Sequence, residues 1–141
     1  MTRRAPRTRA ERGMAAVWTL LLAAGAFTLL LGLVVDGGAA IDARLEAKRA
    51  AEQAARAGAD ALSAPGVRSG TSAIDPEGAA VRAHRILQQA GWRGTVTVEG
   101  ETVRVTANGS EPTLFLSVIG IGSFAVHETG SATGITQPGP P

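Results

Sequence analysis

The sequence predicts an α+β protein. A single N-terminal transmembrane helix continues into a helical stalk, followed by a small domain of one helix and a three-stranded antiparallel sheet. Three observations carry this. Met14–Val35 (MAAVWTLLLAAGAFTLLLGLVV) is an apolar run without a charge. The stretch behind it is dense in strong helix formers, and a helix-start signal recurs at Asp75-Pro76-Glu77. From Gly94 onward the apolar period changes from that of a helix to two, the period of a strand.

The apolar run comes first because it constrains the rest. Counted from Ala15 to Val35 it would form a helix about 31 Å long, the thickness of a bilayer's hydrocarbon core. A helix satisfies its own backbone donors and acceptors in lipid. The rest of the chain is too small to wrap a helix that is apolar on every face, which argues against a buried core helix. The formal charge of +2 averages two unlike parts. Residues 1–13 hold Arg3, Arg4, Arg7, Arg9 and Arg12 against Glu11, whereas residues 36–141 hold nine basic and eleven acidic side chains. Basic residues at one end of a span hold that end in the cytoplasm, so those five arginines set the topology: N-terminus inside, body outside. A secretory signal cut near Gly38-Ala39-Ala40 is the rival, but the run exceeds the ordinary length of a signal's apolar region.

The elements then follow in order. Residues 1–13 are a basic cytoplasmic tail, 14–35 the span, and 36–62 an Ala-rich stalk helix in which Ile41, Leu45, Ala51, Ala55, Ala59 and Leu62 form a thin apolar stripe. That stripe fits either a solvated stalk or a packing face for neighbouring copies or partners. Glu46/Arg49 and Glu52/Arg56 stand in the favourable order along it, and Gly37-Gly38 leave room for a hinge. Residues 63–75, rich in Ser, Gly and Pro, form a linker.

The small extracytoplasmic domain spans 76–134. Asp75 caps a helix whose buried face is Ala79, Ala83, Ile86, Leu87 and Ala90, ended by Gly91. Two Thr/Val strands follow; a two-residue turn at Glu99-Gly100 sets Val96 opposite Val103, and Asn108-Gly109-Ser110 ends the second strand. Between Thr113 and Gly122, Leu114, Phe115, Val118 and Ile119 fit a short buried helix, with a buried strand as the rival. Ser123–Thr133 is the last strand, with Phe124 and Val126 inward, and 135–141 is a flexible tail.

Chemistry-bearing patterns are scarce. His84 and His127 lack partners at metal-ligand spacing, so no metal and no cofactor is expected. No serine stands in a nucleophile elbow and no glycine-rich loop joins a strand to a helix. Asp36, at the membrane boundary, reads as a carboxylate that water reaches. The body has no basic face, which excludes a nucleic-acid partner, and nothing points to a small-molecule substrate. An enzyme needs a positioned acid, base or nucleophile, and none is apparent.

Glu11-Arg12-Gly13, the apolar run, Val34-Val35-Asp36-Gly37-Gly38 and the Ala-rich EQAARAGADAL together resemble the TadE/TadG-like proteins of bacterial tight-adherence (Flp-type) pilus systems. The Thr/Val hairpin and TLFLSVIGIGSFAV are also similar to actinobacterial members. The resemblance implies a non-catalytic, single-pass bacterial membrane protein of minor-pilin or pseudopilin type, acting in assembly of a pilus or related secretion apparatus. Its implied partners are the lipid bilayer and other pilus or secretion membrane proteins, or further copies bound through the N-terminal helix. It also implies a processing junction at Gly13-Met14. The fifth residue beyond that junction is Trp18, where type IV prepilins carry glutamate, so an uncut, membrane-retained assembly factor fits at least as well. The alternative is a secreted or anchored extracytoplasmic binding domain unrelated to pili.

Overall fold

The computed structural model describes residues 9–61 and 74–134, with side chains from Gly13 onward. The expectations for the tail at 1–8, for Leu62 and most of the linker, and for 135–141 lie outside the described residues.

One helix, α1 (Arg9–Ala59), takes in both the apolar run and the Ala-rich stretch without interruption. Gly37 and Gly38 continue it as ordinary helical residues, because the flanking helix formers outweigh the cost of about 1 kcal/mol per glycine. The second helix, α2 (Pro76–Gln89), starts as its sequence signal requires: Asp75 accepts from the Glu77 amide at 3.2 Å, and Pro76 occupies the first turn. Strands β1 (Arg93–Glu99), β2 (Thr102–Pro112) and β3 (Ser123–Thr133) form an antiparallel meander in the order β1-β2-β3. A short 3₁₀ helix, Leu116–Ile119, interrupts the connection between β2 and β3.

The fold is thus α+β, but the sheet carries two helices where one was expected. The second half of α1 is no free-standing stalk. Its alanines Ala43, Ala47, Ala50, Ala51, Ala54, Ala55 and Ala59 are buried in one core with Ala79, Ala83 and Leu87 of α2 and Val103, Val105, Ala107 and Val126 of the sheet. Of the expected stripe, Ala51, Ala55 and Ala59 point inward while Ile41 and Leu45 stay exposed. Methyl groups allow the helix to lie close to the sheet. At Gly130 a Cβ would stand 2.5 Å from the Ala51 carbonyl carbon, so glycine is what lets β3 and α1 meet. Lys48 reaches over this contact to donate to the Thr129 carbonyl at 2.6 Å, laying a charge along the edge strand. On α2, Ala79, Ala83 and Leu87 are buried and Ile86 half-buried, but Ala90 caps the helix and is exposed.

The hairpin keeps the expected even loop and puts all four valines on one face, but its register differs. Val96 pairs with Val105 and Val98 with Val103, since the two loop residues are Gly100-Glu101. Gly100, at φ +62°, takes the first central position, the place a type II′ turn reserves for glycine. Nor does β2 stop at Asn108-Gly109-Ser110. It continues to Pro112 because β3 supplies partners throughout, with Gly109 opposite Val126 and Pro112 opposite Ser123. Phe124 is half-buried and Val126 fully buried, on the inward face as expected.

Candidate functional site

The sequence offered no catalytic constellation, so the site worth building is the junction between the apolar half of α1 and the domain. From Met14 to Val35 every residue of α1 except Gly32 is exposed. A core helix of a soluble protein would be covered; this one presents its leucines outward on all sides and meets the length and composition of a membrane span.

Gly32 is covered because Phe115 lies on it: a Cβ at position 32 would come within 2.6 Å of the Phe115 Cβ. One turn further along, Asp36 is 2% exposed. Its carboxylate accepts from three consecutive backbone amides at the start of the 3₁₀ helix: Leu114 at 3.0 Å, Phe115 at 3.0 Å and Leu116 at 2.7 Å. These donors have no partner within a helix that begins there, so a carboxylate is the natural cap. Burial opposes the charge at Asp36, but the hydrogen bonds from Leu116, Leu114 and Phe115 outweigh it and hold the carboxyl below its ordinary range. The expectation that water reaches this group is therefore corrected. A loop eighty residues away folds over it.

The loop is otherwise self-contained. Thr113 is buried; its amide donates to the Gly122 carbonyl at 3.1 Å and its hydroxyl to the Ile121 carbonyl. The Ile121 amide returns to the Leu116 carbonyl and the Gly120 amide to that of Ser117. The expected short helix is present, in place of the rival strand, as a single 3₁₀ turn. Its expected burial is corrected: Leu114, Val118 and Ile119 are exposed and Phe115 stays partly open beside Gly32, while Leu116, which the spacing did not select, is the buried residue. A groove of about 340 Å³ separates the loop from α1, with Gly25, Thr28 and Leu29 on one wall and Phe115 and Val118 on the other.

The remaining predicted site residues lie apart from this junction. Gly13 and Met14 sit inside the α1 helix and are exposed, so the bond between them is helical backbone. Arg9 and Arg12 belong to the first turns of α1; Arg3, Arg4 and Arg7 lie outside the described residues. His84 is exposed on α2, and His127 Nδ1 lies 2.9 Å from Asn108 Oδ1 across the strand pair. Among the described residues no three His, Cys, Asp or Glu side chains converge as a metal site would require. Sequence reasoning missed Gly32, Phe115 and the loop amides. The available signal was Asp36 itself, a lone carboxylate closing an apolar run, together with a second charge-free stretch at 112–126.

Neither a curated protein nor a solved structure matches the chain. A family model does, and its boundaries follow those of α1: over residues 13–61, the apolar run and the Ala-rich half that packs on the sheet, the chain matches the TadE/G-like family of Flp pilus assembly.

Proposed function

We propose that this protein is a non-catalytic, membrane-anchored subunit acting in assembly of a Flp-type pilus or a related secretion apparatus. The observation that carries the reading is the coincidence of the family match at 13–61 with a single unbroken helix, exposed and apolar in its first half and built into the domain core in its second. Such a helix couples the membrane to the domain without a flexible joint. The span holds the subunit in the bilayer, and confinement there raises its effective concentration towards other membrane-bound pilus components. The arginines before the span keep the N-terminus in the cytoplasm and place the domain outside. Retention of Met1–Gly13 or cutting after Gly13 leaves this anchoring role intact.

The test is deletion of the gene in its host and a count of surface pili by electron microscopy. Loss of pili, restored by the intact gene and not by a copy with Leu22→Arg and Leu29→Arg in the span, is the expected result. Unchanged piliation in the deletion strain overturns the reading.

A further inference from the structure

We propose that the loop joining β2 to β3, residues 113–122, is a second membrane-contacting element that sits among lipid acyl chains beside α1, in the leaflet on the domain's side. This rests on the reading of Met14–Val35 as an embedded span and adds to it a feature the span alone does not require.

The argument is one of depth. Phe115 packs on Gly32, and Val118 shares a groove with Thr28. These helix positions lie roughly 6 and 12 Å before Asp36 along the axis, within the leaflet's hydrocarbon half of roughly 15 Å. Raising the loop clear of lipid would move the bilayer boundary below Thr28. Only Met14–Thr28 would then remain to span it, roughly 22 Å of helix against a core of about 30 Å.

The loop's chemistry agrees. No charged residue occurs from Pro112 to Val126. Leu114 is 75% and Val118 87% exposed, with Phe115, Ile119 and Ile121 also open on the same element. An apolar patch of this kind on a small domain, continuous with a membrane span, is matched by acyl chains. Backbone polar groups at such depth are costly unless protein bonds them, so the loop can enter lipid only with its amides turned onto its own chain and its side chains outward. Here Asp36 takes three amides, Thr113 closes the base of the loop, and the Gly120 and Ile121 amides bond within it. Asp36 is thus the group that allows the chain to turn in lipid. With two points of insertion, the domain is held at one tilt against the membrane surface.

The chain has no cysteine, so single-cysteine variants of the full-length protein can each carry an environment-sensitive fluorophore in phosphatidylcholine–phosphatidylglycerol vesicles. Three positions suffice: Leu22→Cys in the span, Val118→Cys in the loop and Thr95→Cys on the open sheet face. The expected result is strong quenching by nitroxide-labelled acyl chains at 22 and 118, quenching by aqueous iodide at 95 alone, and no change on dilution with lipid. Lipid quenching at 22 with iodide quenching at 118 overturns the loop proposal and leaves the anchor standing. Shielding at 118 from both quenchers, relieved by dilution with lipid, overturns it in favour of contact with a second copy. Absence of lipid quenching at 22 removes the anchor reading, and the loop proposal with it.

Discussion

Asp36 and Leu116, eighty positions apart, are joined by a 2.7 Å hydrogen bond in which the carboxylate at the end of the apolar run accepts the first amide of the 3₁₀ helix. With the parallel bonds from Leu114 and Phe115, it ties the apolar half of α1 to the sheet's longest loop. Asp36→Ala leaves three amides without an acceptor, whereas Asp36→Asn keeps one carbonyl oxygen for them. Hydrogen–deuterium exchange at Leu114–Leu116 is expected to quicken strongly in the alanine variant and less in asparagine, while the β1–β2 amides keep their wild-type rates. Equal protection in all three proteins would refute the cap.

The same group makes the junction sensitive to acid. Its folded pKa lies below the unfolded value of about 3.9, so its contribution is fully present above that value. It is lost as pH falls through the lower, folded pKa. Exchange at Leu114–Leu116, corrected for the intrinsic pH dependence, is therefore expected to be flat from pH 7 to pH 5 and to rise only in stronger acid. In Asp36→Asn that acid-dependent rise disappears.

Glycines in this chain separate into those that make room and those that do not. Gly130→Ala drives a methyl group into the α1 backbone at Ala51 and is expected to destabilise the fold by about 1–3 kcal/mol. Gly38→Ala, inside α1 with open space around it, is expected to stabilise by up to about 1 kcal/mol. Chemical denaturation of the full-length protein in detergent, followed by circular dichroism, measures both.

Leu87 is among the few large side chains fully buried in a core made mostly of alanine and valine. Leu87→Ala is expected to cost about 2–5 kcal/mol in the same denaturation experiment, since the surrounding methyl groups are too short to fill the space. Val81→Ala, on the exposed side of α2, serves as its control and is expected to change stability by less than about 0.5 kcal/mol.

Topology is expected to follow from charge. Replacing Arg3, Arg4, Arg7, Arg9 and Arg12 by glutamine is expected to yield a mixed population of orientations, read by a reporter fused after Pro141 that is active on only one side of the membrane. Wild-type protein is expected to place that reporter outside; activity only in the cytoplasm would reverse the assignment.

The extent of what the residues foretold differs between elements. The apolar run, the Asp75 cap and the inward face of β3 were all legible, because each depends on local composition or on a period read within one segment. The turn was nearly so: an even loop was implied, but choosing Gly100-Glu101 over Glu99-Gly100 required knowing which position takes positive φ. The end of β2 was misplaced because Asn108-Gly109-Ser110 reads as a terminator in isolation and as a strand once β3 lies beside it.

By itself, then, the sequence determined that the chain holds one membrane-length helix with a basic flank, a second helix and three strands. Local hydrophobicity, charge and glycine placement suffice for that. Only the tertiary structure decided where the Ala-rich face goes, why Gly32 and Gly130 are glycines, and that Asp36 lies beneath a loop. These depend on contacts between residues such as Ala51 and Gly130, or Asp36 and Leu116, whose chemistry becomes complementary only when folding removes the sequence distance between them.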